Sequence, residues 1–194
     1  MISYSVVNRS RFLFEEDLIR AEADMASLIK KSKFCTAYTG AGISTAAGID
    51  CFATHNRDTS AAGEATALKD WKLAKPTYSH YAMTTLYEHN LLQHWIQQNH
   101  DGLPQKAGVS QVVMNEIHGA WYDPTNPVVP MSGNLRADLF QWMLQERKVA
   151  DLCLALGTSM CGMNADSVAF ECAERAKLRI GQRTPPLGTV IVSL

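Results

Sequence analysis

The chain has 194 residues, 46% hydrophobic and 19% charged, with a formal net charge of −1. That composition suits one globular domain with a sizeable core, and the near-neutral charge supplies no general pull toward nucleic acid or anionic membrane. No apolar run approaches the roughly 20 residues that a membrane-spanning helix needs.

Phe14 to Lys31 predicts an amphipathic helix: Phe14, Leu18, Ala21, Met25, Leu28 and Ile29 recur at three-to-four spacing, opposite Glu15, Glu16, Arg20 and Asp24. The apolar run Phe34–Tyr38 predicts a short buried strand. Directly after it comes Thr39-Gly40-Ala41-Gly42-Ile43-Ser44, a turn that could open a helix. Gly40 and Gly42 allow close backbone approach, and amides exposed beside a helix start suit phosphate. Strand, glycine turn and helix is the dinucleotide-binding layout, although a GxG turn alone serves equally as a tight connection.

Residues 50–70 lack a sustained period and read as a long loop with a short helix at its end. Pro76 then precedes a helix predicted over Thr77–Leu92. His94 to Gln98 is strand-like and runs into Asn99-His100-Asp101-Gly102, and Val109 to Met114 leads into Asn115-Glu116-Ile117-His118-Gly119. Residues 120–134, with three prolines, read as an irregular connection. A helix over Ala137–Lys148, a continuous apolar strand over Asp151–Leu156 closed by Gly157-Thr158-Ser159, a helix over Asn164–Leu178 and a β-branched strand from Thr189 complete the chain. Strands alternating with helices predict an α/β fold: a Rossmann-like parallel sheet with helices on both faces and a small or missing second domain. Such sheets bind ligands beyond the carboxyl ends of their strands, where each polar cluster here falls.

The five cysteines, Cys35, Cys51, Cys153, Cys161 and Cys172, are odd in number and contain no CxxC pair. They predict neither a disulfide framework nor a metal site, and an intracellular, cytoplasmic protein. Cys35 and Cys153 lie in apolar runs and are expected in the core. Arg9 and Arg11 without a preceding acid give a faint transit-segment pattern, which Glu15, Glu16 and Asp17 end.

Asn99 and Asp101, two apart, face one side of an extended segment. Taken alone, N-x-D-G is more often a turn. His118 carries a group that titrates near neutrality, suited to removing a proton from a hydroxyl; a lone histidine is more often structural. Thr158 and Ser159 can donate to phosphate or ribose, or cap the following helix.

Together, GAGISTAAGI (40–49), QNHDGL with KAG (98–108), EIHG (116–119) and ADLCLALGTSM (150–160) resemble the sirtuin family of NAD-dependent protein deacylases, in that family's order, over roughly residues 20–194. The resemblance implies a sirtuin-like NAD-binding domain over residues 13–194, with residues 120–134 in place of the zinc module. It implies NAD as cofactor and an acyl-lysine protein or peptide as partner. Gly40, Ala41, Gly42 and Ser44 would line the phosphate and ribose part of the site. Gln98 and Asn99 would meet the nicotinamide-side ribose, Asp101 the nicotinamide, His118 would be the general base, and Gly157, Thr158 and Ser159 would meet the adenosine side. In such enzymes an acyl-lysine carbonyl oxygen attacks the ribose carbon as nicotinamide leaves, and the base then deprotonates a ribose hydroxyl.

The sequence also departs from the family. Where the family has PDFR, this chain has Asp50-Cys51-Phe52-Ala53: Phe52 is kept as a cofactor contact, while Cys51 and Ala53 replace an Asp and an Arg. The paired CxxC motifs after the His-Gly are absent, and the family's strand ending in Asn, with its adenine contacts, would follow Val192. Three functions compete on these residues: a deacylase, an NAD glycohydrolase or ADP-ribosyltransferase using the same pocket, and a degenerate NAD or ADP-ribose binding module.

Overall fold

The computed structural model describes residues 15–49, 71–130, 132–160, 164–178 and 186–192. The 50–70 loop, with Cys51, Phe52 and Ala53, and also Cys161, lie outside the described residues.

In chain order the elements are α1 (Glu15–Lys31), β1 (Cys35–Thr39), α2 (Tyr78–Glu88), β2 (His94–Gln97), α3 (Leu103–Lys106), β3 (Met114–Asn115), α4 (Ala137–Val149), β4 (Leu152–Leu156), α5 (Ser167–Leu178) and β5 (Gly188–Val192). The five strands form one sheet in the order β3-β2-β1-β4-β5, every pair parallel. The chain builds outward from β1 through β2 to β3, then crosses back to add β4 and β5 on the other side. Strand order therefore reverses between β1 and β4, the place where open parallel sheets bind ligands.

Successive side chains of each strand point into opposite cores. Cys35, Ala37, Trp95, Leu152 and Leu154 pack on one face with Ile29 of α1 and Met83 of α2. Tyr38, Ile96, Cys153 and Ala155 pack on the other with Met143 of α4 and Val168, Ala169 and Cys172 of α5. This two-sided burial explains why β4 reads as an unbroken apolar run and why β1 carries only small or apolar residues besides Thr36 and Thr39, both of them buried. It also accounts for Cys35 and Cys153, both fully buried; burial pushes the Cys35 thiol up to about 12, so it stays an inert core group.

Three differences from the sequence reading exceed a one-residue shift, each for a local reason. The glycine turn opens no α-helix: two short 3-10 turns, Ala41–Ile43 and Thr45–Ala47, follow it, and Gly48 in the left-handed region ends the second. Helix α2 stops at Glu88 rather than Leu92, because Asn90 takes φ 57° and the amides of Leu91 and Leu92 turn back to the Leu86 carbonyl. Helix α5 starts at Ser167 rather than Asn164, which sits at φ 69°.

Candidate functional site

The carboxyl ends of β1 and β4 meet backbone to backbone. Gly40 N–H donates to Leu156 O at 3.1 Å and Gly42 N–H to Gly157 O at 2.8 Å. A Cβ on Gly42 would lie 2.7 Å from Gly157 Cα, and one on Gly157, itself at φ +60°, would lie 2.5 Å from Ile43 N. The glycines at 42 and 157 are thus required by the crossing of the two loops. Few amides are left for a phosphate: those of Gly40, Gly42, Ile43 and Ser44 all bond within the fold. Of the turn from Gly40 to Ser44, Ala41 alone keeps an amide that meets no acceptor among the described residues.

The segment after β2 closes against this turn. Asn99 Nδ2 donates to Gly40 O at 3.0 Å and to Ser44 Oγ at 2.9 Å. Ser44 Oγ in turn donates to Asp101 Oδ2 at 2.6 Å, and Asp101 Oδ1 accepts from Leu103 N at 2.9 Å. Asn99 and Asp101 therefore do face one side, meeting on one hydroxyl. The same residues also make the turn that the N-x-D-G pattern suggests: Gly102 sits at φ +64° and Asp101 holds the first amide of α3. Gln98 Nε2 donates to the Tyr38 hydroxyl and reaches Thr158 Oγ1 at 3.4 Å. Thr158 Oγ1 accepts from Met160 N at 3.1 Å, and Ser159 beside it is exposed.

His118 lies just beyond β3, half-buried, on a turn held from several sides. Its carbonyl accepts from Val129 N at 2.9 Å, and Gly119 N–H donates to Glu116 O at 2.9 Å. Gly119 takes φ +85°, where a Cβ would collide with Pro127 O. The connection itself is a closed turn, with Ala120 N–H on Asn126 O at 2.9 Å and Asn126 Nδ2 on Glu116 O at 3.0 Å. Below it, the Glu116 carboxyl is 1% exposed and accepts from Tyr122 OH at 2.6 Å and Gln111 Nε2 at 3.1 Å. Burial holds its pKa above the usual carboxylate value. Among the described residues no cluster of three or more His, Cys, Asp or Glu side chains is placed to hold a metal.

Gly40, Gly42, Ser44, Gln98, Asn99, Asp101, Gly157 and Thr158 are tied together by these bonds and contacts, while His118 stands on the adjoining loop; Phe52 is outside the description. Two histidines that sequence does not single out matter to this region. His80, fully buried in α2, accepts the Thr77 amide on Nδ1 at 3.1 Å and stacks on Trp95. His100 joins the β2 segment to the His118 turn, through Nδ1 on Gly119 O at 2.8 Å. A lone histidine inside a turn-like run gives no periodic signal that would have found it.

No protein-family profile matches the chain. Comparison with curated proteins finds cattle NAD-dependent protein deacetylase sirtuin-7, 38% identical over 109 residues, covering 55% of this chain and 27% of that protein. The chain is sirtuin-like. The fruit-fly deacetylase Sirt6 is 37% identical over 115 residues, covering 56% of this sirtuin-like chain and 36% of the relative. An NAD-dependent protein deacetylase of Thermodesulfovibrio yellowstonii is 38% identical over 112 residues, covering 47% and 43%. The chain thus spans less than half the length of these relatives. Among solved structures, one described as the basis of sirtuin substrate affinity superposes with a TM-score of 0.70 at 22% identity, over 88% of this chain and 86% of that one. A Sir2 complex with a p53 peptide and NAD+ gives 0.65 at 22% identity, over 88% and 85%. The sirtuin-like chain has the sirtuin fold, a five-stranded parallel sheet between helices.

Proposed function

We propose that this chain is an NAD-dependent protein deacylase whose pocket lies over the carboxyl ends of β1, β2 and β4. The observation that carries the reading is the convergence of Asn99, Ser44 and Asp101 on one another at the carboxyl ends of β1 and β2, beside the point where strand order reverses between β1 and β4. The relatives named above are deacetylases dependent on NAD, and one fold neighbour was solved with a peptide and NAD+. The residues fit a dinucleotide: the turn offers the Ala41 amide, and the rim offers the Thr158 and Ser159 hydroxyls.

Bound there, NAD supplies a ribose carbon from which nicotinamide departs, leaving positive character that needs neutral, oriented polar groups. Asn99 and Gln98 supply them without a competing nucleophile, and the bonds to Gly40 O and Ser44 Oγ fix Asn99 before substrate arrives. Asp101 orients the nicotinamide side. His118 is the base that takes the ribose hydroxyl proton once the acyl group is in place. Hydrolysis of NAD in the same pocket is the second reading, favoured by the closed Ala120–Asn126 turn beside His118.

The test is His118→Ala. Removing the base lowers acyl transfer by about 10²–10⁴-fold while NAD affinity, measured by calorimetry, is retained. Undiminished turnover moves the base elsewhere, and loss of NAD binding makes His118 a binding group instead.

A further inference from the structure

We propose that His100 is a positioning residue, a strap that sets the His118 turn against Asn99 and Asp101. Its role in turnover rests on the reading of His118 as base. The two loops belong to different strands, and a bonded ring joins them: His100 Nδ1 meets Gly119 O at 2.8 Å, and Trp121 N–H returns to His100 O at 2.9 Å. The Trp121 ring packs on the imidazole, centroids 5.6 Å apart. A carbonyl only accepts, so Nδ1 carries the hydrogen, which fixes the tautomer. Burial lowers the His100 pKa and keeps the ring neutral near pH 7.

The strap acts on the residue that follows His118. Gly119 O is pinned by His100, while His118 O is pinned by Val129 N at 2.9 Å. Two consecutive carbonyls are therefore fixed by two different segments, one of them the segment that carries Asn99 and Asp101. Base and nicotinamide-side residues are held in register by one imidazole N–H, and the strap's energy goes into orientation, where small displacements are costly.

The experiment compares His100→Asn, His100→Gln and His100→Leu. An asparagine amide sits at the reach of Nδ1 and can donate to Gly119 O; a glutamine amide sits at the reach of Nε2 and cannot; leucine has no donor. In nicotinamide release with an acetyl-lysine peptide, Asn keeps near wild-type kcat. Gln and Leu lose about ten- to a hundredfold in kcat, with KM for NAD little changed. Hydrogen exchange at Gly119, Ala120 and Trp121 quickens in Gln and Leu and is restored in Asn. Equal kcat and exchange in all three variants, or Asn as impaired as Leu, overturns the proposal. Should Leu fail to fold, the Asn–Gln pair decides. If the wild type releases no nicotinamide, the enzymatic reading fails and exchange alone judges the strap: the Asn–Leu contrast upholds it, and unchanged exchange overturns it.

Discussion

Ser44 Oγ donates to Asp101 Oδ2 at 2.6 Å and accepts from Asn99 Nδ2 at 2.9 Å, so one hydroxyl joins the β1 turn to the segment after β2. Ser44 and Asp101 are each 1% exposed, so water cannot replace the bond. Ser44→Ala leaves a buried carboxylate oxygen without its donor and should lower stability by about 1–3 kcal/mol. Denaturant unfolding measures this. Thr45→Ala next to it, where the residue is exposed and, among the described residues, its hydroxyl bonds Gly42 O alone, should cost far less. Equal losses from the two would contradict the account.

The crossing of the β1 and β4 loops predicts an ordering among glycine substitutions. Gly157→Ala places a methyl 2.5 Å from Ile43 N and 2.8 Å from Gly42 C, both backbone atoms. Gly48→Ala meets nothing within 4 Å among the described residues and pays for its left-handed φ of +80°, about 1–2 kcal/mol. Gly157→Ala should therefore unfold at clearly lower temperature than Gly48→Ala. The reverse order would mean that the loops do not cross in contact.

His80 predicts a pH window. Burial lowers its pKa from 6.5 to about 4 in the folded chain, so between these values the unfolded chain binds the extra proton. Its contribution is complete above pH 6.5, falls as pH drops toward 4, and is then spent. The fall is on the order of 3 kcal/mol. His80→Gln removes the titrating group and should flatten the stability profile in that window. An unchanged slope would assign the acid loss to other groups.

The sheet is legible because β4 is an unbroken apolar run and β1 a mostly apolar one, a pattern set by burial on both faces, and the polar clusters do fall at the strand ends. Element ends were less legible. Asn90 and Asn164 adopt left-handed backbone that stops α2 and delays α5, which no periodicity announces. The glycine turn misled on mechanism: GAG looked like exposed amides at a helix start, yet most of those amides are satisfied within the fold. Convergence of Asn99, Ser44 and Asp101 follows from contact across 57 positions, which local spacing cannot reveal. His100 was hidden for the same reason, since its partner Gly119 is 19 residues away.

The most direct test of the enzymatic reading is nicotinamide release from NAD, with and without an acetyl-lysine peptide, using the Asn99→Ala protein as the blank. The account predicts release that requires the peptide and is lost in the Asn99→Ala protein. Release without peptide would establish NAD hydrolysis or ADP-ribosyl transfer in the same pocket. No release in either case, with NAD still bound, would contradict the enzymatic reading and leave a binding module.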